Sequence, residues 1–367
     1  MSQKKILFYH PIFLDGGVEK TNILISEKLS KKYRILFASN YFSNKFDVDI
    51  KRIGIKKIKL KAKKTIFSFF ELSKIIKKNK PDLIFSLQMH ANVTLLLLNF
   101  LLFFNKLKII CCERLSYQSY QDIKGQIIIL LAKIFYRFST KIICNSQDLA
   151  EEIRSLSKSK NVTFIYNPTL KQNFKKLSKR FKLNKSPFKD KNKKIIISIG
   201  RLVDNKNHLM LLKAINLLKE KEKIALVIIG EGKNRKLLID YATKIKFRNL
   251  YILNYKKNPY PYLLNSDLKI LTSNFEGLPN VLIEAMALNK PIISTNSPTG
   301  PREILLNGKA GFLIKRNDFK SLSSKIHLFL KNPKLFNKKK LYYKESLKRF
   351  SPENSLKKYA NIVDDII

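Results

Sequence analysis

Residues 268–295 read LKILTSNFEGLPNVLIEAMALNKPIIST. Leu268–Leu271 and Pro291–Ser294 are apolar runs of strand length, and between them Pro279 opens a helical pattern that reaches Leu288. Strand, loop, helix and strand in so short a span make one β–α–β unit, whose two strands must run parallel. The same rhythm recurs outward in both directions. Toward the C-terminus comes Phe312–Ile314, and before residue 268 come Ile195–Ile199, Ala225–Ile229 and Leu250–Leu253. The first half repeats it with Ile6–Tyr9, Ile35–Ala38, Leu83–Phe85, Lys108–Cys112, Lys141–Cys144 and Val162–Ile165. Helical stretches at Val18–Leu29, Phe67–Ile76, Asn92–Phe104 and Ile127–Phe138 separate those runs. Continuous rather than alternating apolar runs imply strands covered on both faces, so each half reads as a doubly wound α/β domain.

The chain has 367 residues, enough for two such cores. Its 45% hydrophobic content excludes wholesale disorder. Lys and Arg number 73 against 27 Asp and Glu, a net charge of +46. That excess favours anionic partners such as nucleic acid, anionic lipid or phosphorylated substrate. A composition rich in Lys, Ile, Asn and Phe, as AT-rich coding produces, accounts for the same excess. Three cysteines without a C-x-x-C spacing fit neither a zinc site nor a disulfide framework, and the chain reads as cytosolic. Val93–Phe104, the longest apolar stretch, falls short of the roughly 20 residues that span a bilayer. Residues 1–170 form the expected N-terminal domain, 171–193 a basic linker, 194–350 the C-terminal domain, and 351–367 a closing helix.

Of eleven glycines, seven fall in strand-to-helix loops, where open α/β sheets bind ligands and where glycine lets backbone approach an anion. The loop His10–Lys20 holds Gly16 and Gly17 before a helix whose first amides could face phosphate; a plain tight turn explains the pair equally well. Neither G-x-G-x-x-G nor a Walker motif occurs. After Ile199 come Gly200, Arg201 and Lys206, a cationic pair suited to a diphosphate, or simply solvated charge in a basic chain. Glu276 and Glu284 lie eight residues apart, two helical turns plus about 80°, so both can face one side of the helix mouth. Glu284 inside an apolar helix needs polar partners if buried, and sugar hydroxyls suit it.

Glu276-x7-Glu284 within EGLPNVLIEAMALNKPIIST resembles the retaining glycosyltransferases of family four, which have the GT-B fold. Other pieces follow in the family's order: Gly16-Gly17, Glu113-Arg114, Tyr166-Asn167-Pro168, GRLVDNKN, Ile229–Gly232, Asn258-Pro259-Tyr260 and SPTGPREIL at 297–305. The resemblance implies two facing Rossmann-like domains with a cleft between them. It implies that Arg201 and Lys206 hold the donor diphosphate, with Gly17 and the amides of Gly277 and Leu278. Glu284 would bind the nucleotide ribose and Glu276 the donor sugar, while Asn254-Tyr255-Lys256 would lie beside the base. His90 is the candidate for the family's catalytic-region histidine, although the usual position falls on Leu87; capping the apolar helix is its other reading.

The implied reaction moves a sugar, hexose or N-acetylhexosamine, from a UDP-sugar to a hydroxyl, with retention, no metal and no cofactor. SPTGPREIL resembles the subgroup that extends polyprenyl-diphosphate-linked or lipopolysaccharide oligosaccharides. An anionic membrane surface is the expected further partner, at the inner face of the cytoplasmic membrane. Eight Lys and Arg in Lys51–Lys64, and the apolar helices 92–104 and 127–138, would support such docking; as core helices they would not. Asp47-Val-Asp49 reads as surface rather than as a metal motif, and Glu113-Arg114 as a local ion pair or part of the acceptor side. Two rivals remain at this point: a sugar-nucleotide epimerase of similar fold, and a basic nucleic-acid-binding protein. No nucleic-acid-binding module is recognisable in the sequence, and the paired glutamates would repel phosphate.

Overall fold

The computed structural model describes residues 3–14, 16–44, 47–62, 65–170, 173–183, 186–190 and 192–367. The chain divides into two compact units, one running to Pro168 and completed by Pro352–Ile367, the other Thr169–Ser351. Each is built around one parallel sheet.

The first unit contributes β1 (Lys5–Tyr9), β2 (Ile12–Phe13), β3 (Arg34–Ser39), β4 (Tyr41–Phe42) and β5 (Lys56–Lys59). It continues with β6 (Leu83–Leu87), β7 (Ile109–Glu113), β8 (Lys141–Cys144) and β9 (Val162–Phe164). Seven strands line up as β5-β3-β1-β6-β7-β8-β9, while β2 and β4 pair separately. Ile6 and Phe8 of β1 point into one core and Leu7 and Tyr9 into another, which is why the run is apolar without alternation. Helix Met89–Phe103 covers one face and Gly17–Leu29 packs by the other. The C-terminal helix Pro352–Ile366 belongs to this unit, its Tyr359 and Val363 fully buried in the core that holds Phe8 and Phe37. Arg114 anchors it by donating to Tyr359 Oη at 2.9 Å and to Asn167 Oδ1 at 3.1 Å.

The second unit contributes β10 (Lys194–Ile199), β11 (Ile224–Ile229), β12 (Leu250–Leu253), β13 (Leu268–Leu271), β14 (Ile292–Thr295) and β15 (Phe312–Ile314). Their order is β12-β11-β10-β13-β14-β15. The chain winds outward from β10 to β12, then returns to β13 and winds the other way. The gap between β10 and β13 is therefore the topological switch point, where an open α/β sheet leaves a crevice beyond its strand ends.

Several boundaries differ from the sequence reading. The 171–193 segment is not a tether. Its described residues include helix Phe174–Ser178, with Phe174 packed on Tyr260 at 4.5 Å between ring centroids. Phe181 and Phe188 both meet Tyr262, and Asn258 donates to the Leu177 carbonyl at 2.8 Å. Its three phenylalanines are what a charge count overlooked. Within Lys51–Lys64, Lys56–Lys59 forms β5, whose outward lysines protect the exposed edge; Lys63 and Lys64 lie outside the described residues. The Ile127–Phe138 helix begins earlier, at Ile123, because Asp122 Oδ1 accepts the Gly125 amide at 3.0 Å. It gives way after Phe135 to a tight turn at Tyr136–Phe138.

Candidate active site

All strands of the second sheet run parallel, so the segments after β10, β11, β12, β13 and β14 emerge at one edge. That edge gathers Gly200-Arg201, Gly230-Glu231, Asn254-Tyr255, Ser273–Leu278 and Asn296–Gly300. Sequence spacing alone separates these residues by a hundred positions.

Two loops flank the switch point and are latched together. Asn205 Oδ1 accepts the Phe275 amide at 2.9 Å, and its Nδ2 donates to the Phe275 carbonyl at 3.0 Å. Thr272 Oγ1 donates to the Lys206 carbonyl at 2.9 Å. This latch carries Lys206 to Glu276, whose Oε1 accepts from Lys206 Nζ at 2.5 Å. Glu276 is buried, and the Lys206 stem lies over Gly200, 3.6 Å from where a Cβ on that glycine would stand. Arg201 is exposed on the same strand end. Gly230 makes the turn possible: a Cβ there would sit 1.9 Å from the Gly200 carbonyl oxygen.

Helix Asn280–Ala287 starts directly after Gly277, Leu278 and Pro279. Thr299 Oγ1 donates to the Glu276 carbonyl at 2.5 Å, tying this loop to the SPTGPREIL segment. Four residues into the helix, Glu284 is buried and accepts from Tyr260 Oη at 3.1 Å. Burial and the neighbouring carboxylate push the Tyr260 hydroxyl far above its ordinary range, keeping it a neutral donor. Asn254 and Tyr255 stand beside Glu231, which accepts the Tyr255 amide at 3.2 Å, while Arg235 donates to Asn254 Oδ1 at 3.3 Å.

Lys269 escaped the sequence reading as a charged member of this group. It lies fully buried in β13, opposite Ile197 and Ile292, and its Nζ has no hydrogen-bond partner among the described residues. Burial pulls its pKa down to about 7, opposed by Glu284 and Glu276 and reinforced by Lys206. The single Lys in the run LKIL was the available signal. His208 starts the helix after Lys206, with Nδ1 3.2 Å from Ser198 Oγ; burial drives its pKa down to about 3, so it is neutral.

Gly16, Gly17 and His90 belong to the first unit. Gly17 begins helix Gly17–Leu29 and Gly16 precedes it. His90 is half-buried in the first turn of helix Met89–Phe103, and burial lowers its pKa. Leu87 ends β6 as a core residue. Glu19 Oε1 lies 4.0 Å from His10 Nδ1, and burial holds the ring neutral. Glu113 and Arg114 do not bond to each other. Glu113 accepts from Asn92 Nδ2 at 2.6 Å and from Tyr136 Oη, and burial lifts its pKa to about 7. Asp47 pairs with Lys57 at 2.6 Å and Asp49 with Arg52 at 3.8 Å, ordinary surface ion pairs. The three cysteines are buried free thiols.

Comparison with known proteins gives this geometry its class. The family described as Glycosyl transferases group 1 matches residues 179–347, and Glycosyltransferase Family 4 matches residues 15–169. An uncharacterized glycosyltransferase of Methanocaldococcus jannaschii is 32% identical over 82% of this chain and 70% of its own. A Campylobacter jejuni alpha-1,4-N-acetyl-D-galactosaminyltransferase, named for an undecaprenol-diphosphate-linked substrate, is 26% identical over 89% of both chains. The crystal structure of Anabaena HepE with UDP and glucose matches with a TM-score of 0.79 over 98% of this chain and 99% of that one, at 18% identity. The two Rossmann-like units are those of GT-B glycosyltransferases. The chain belongs to glycosyltransferase family 4 and is a transferase. Transferase activity replaces the epimerase reading.

Proposed function

We propose that the chain is a retaining, metal-independent glycosyltransferase. Its donor is a UDP-linked hexose or N-acetylhexosamine and its acceptor a hydroxyl of a lipid-linked or cell-surface oligosaccharide. The observation that carries this reading is the latch at the switch point, which gathers Lys206 and Glu276 beside the Gly200-Arg201 turn and the start of helix Asn280–Ala287.

Breaking a bond between sugar and diphosphate leaves negative charge on the phosphate oxygens, and preorganised donors lower that barrier most when already in place. Arg201 and Lys206 supply two cations, and the amides of Gly277 and Leu278 precede a helix N-terminus. Other glycosyltransferases give this role to a divalent metal. Lys206, held by Glu276, exchanges part of that pairing for phosphate, which frees Glu276 for the donor sugar's hydroxyls. Glu284, oriented by Tyr260, accepts from the ribose. Asn254 and Tyr255 flank the base. His90 acts on the acceptor side, and the leaving phosphate takes the acceptor's proton on the face it departs from.

HepE was solved with UDP and glucose, and the Campylobacter relative is named for an undecaprenol-linked substrate. They support a UDP-sugar donor and a membrane-borne acceptor, and with them a place at the inner face of the cytoplasmic membrane. The test is turnover of a UDP-sugar panel with a polyprenyl-diphosphate-linked acceptor in EDTA, reading the product's anomeric configuration by NMR. An α-donor is expected to give an α-linked product at undiminished rate. A β-linked product would exclude retention, and loss of turnover in EDTA would exclude metal independence.

A further inference from the structure

Helix Ile123–Phe135 is apolar on the side where a surface helix is normally polar. Inward, Gly125 and Ala132 are buried, and Ile128, Leu131 and Phe135 pack on the core. Outward, Ile123 is 82% exposed, Ile127 53% and Leu130 57%. Ile134 extends the same exposed stripe, with spacings of four, three and four residues that keep all four on one side of the helix, and Phe138 is exposed in the turn that follows.

The stripe continues onto a second element. Helix Met89–Phe103 buries its first turns but turns Phe100 and Leu101 outward, and Phe104 follows it exposed. The Phe100 ring lies 5.8 Å from those of both Phe135 and Phe138, so the two helices present one surface. Cations border it, Lys124, Lys133 and Arg137 on one helix and Lys106 and Lys108 after the other, while the acid Asp122 caps the first helix beside Ile123. Neither Leu83–Cys112 nor Ile123–Gln147 contains an acidic residue.

We propose that this face docks on an anionic lipid bilayer, the helix lying flat with its isoleucines in the acyl boundary and its cations on the head-group phosphates. An apolar stripe bordered by Lys and Arg is the composition of helices that lie in a membrane interface, whereas protein–protein interfaces are depleted of Lys. Long basic side chains bury their stems and keep their charge at the phosphates. No described helix is long and apolar enough to cross a membrane, so the contact is with one leaflet. This deepens, and rests on, the reading of a membrane-borne acceptor.

Flotation of the full chain with phosphatidylglycerol-containing vesicles and with pure phosphatidylcholine vesicles tests it, together with the UDP-induced shift in melting temperature. The wild type is expected to float with the anionic vesicles at least tenfold more than with the neutral ones. Ile127→Glu/Leu130→Glu is expected to cut flotation at least tenfold while keeping the UDP-induced shift, which shows the fold intact. Lys133→Glu/Arg137→Glu, which spares the stripe, is expected to cut it too. Wild-type protein that stays at the bottom, an isoleucine–leucine variant that floats equally well, or a wild-type dimer that this variant dissociates would each overturn the proposal. Flotation without any UDP-induced shift would instead count against the donor site and leave the docking face standing.

Discussion

Lys269 carries an ammonium group into the middle of a parallel sheet with no hydrogen-bond partner among the described residues. With its pKa lowered from 10.5 to about 7, the folded chain gives up this proton at neutral pH while the unfolded chain keeps it to about 10. Between those values the unfolded state binds more protons, so stability rises with pH, and the penalty is fully present below pH 7. Lys269→Met is therefore expected to stabilise the protein below pH 7 by a few kcal/mol, on the order of a lost ionic desolvation penalty, with the gain shrinking toward pH 10. Urea unfolding at pH 6 and pH 9 measures it; equal gains at both would place the effect in packing rather than charge. Arg201, Lys206, Glu276 and Glu284 were legible because each stands next to a glycine-bearing strand end or inside an apolar helix. Lys269 was not, because a strand buried on both faces has no polar side to betray which way a residue points.

Loops join the site's elements, and their tolerance is measurable. Gly300 has φ +88°, and a Cβ there would stand 2.3 Å from the Gly277 carbonyl oxygen. Gly300→Ala has both a left-handed backbone and a backbone clash to absorb, and is expected to cost about 3 kcal/mol or more. Chemical denaturation checks this, and a cost within about 0.5 kcal/mol would mean the loops separate freely. The β–α–β rhythm made most strands readable, because buried parallel strands are apolar runs of fixed length. Strand β5 was hidden, since an edge strand needs only one covered side and here carries three lysines. The 171–193 segment was hidden for a related reason, its three phenylalanines being spread too widely to show a period.

Pro352–Ile367 belongs to the unit that runs to Pro168, where the sequence could suggest only a closing helix. Ser351-Pro352-Glu353 marked where that helix starts, but no local signal said which core would receive Tyr359 and Val363. Tyr359→Ala removes a fully buried ring and an Arg114 hydrogen-bond partner, and is expected to cost about 3–5 kcal/mol, read as a lower melting temperature. An unchanged melting temperature would mean the helix adds nothing to the first unit.

On the proposed function, the latched loops at the switch point hold a nucleoside diphosphate. Calorimetric titration of UDP into the wild type, Lys206→Ala and Glu284→Ala tests it most directly. Saturable binding by the wild type, weakened at least tenfold in each variant, is the predicted result. No binding by the wild type, or equal affinity in all three proteins, would contradict it.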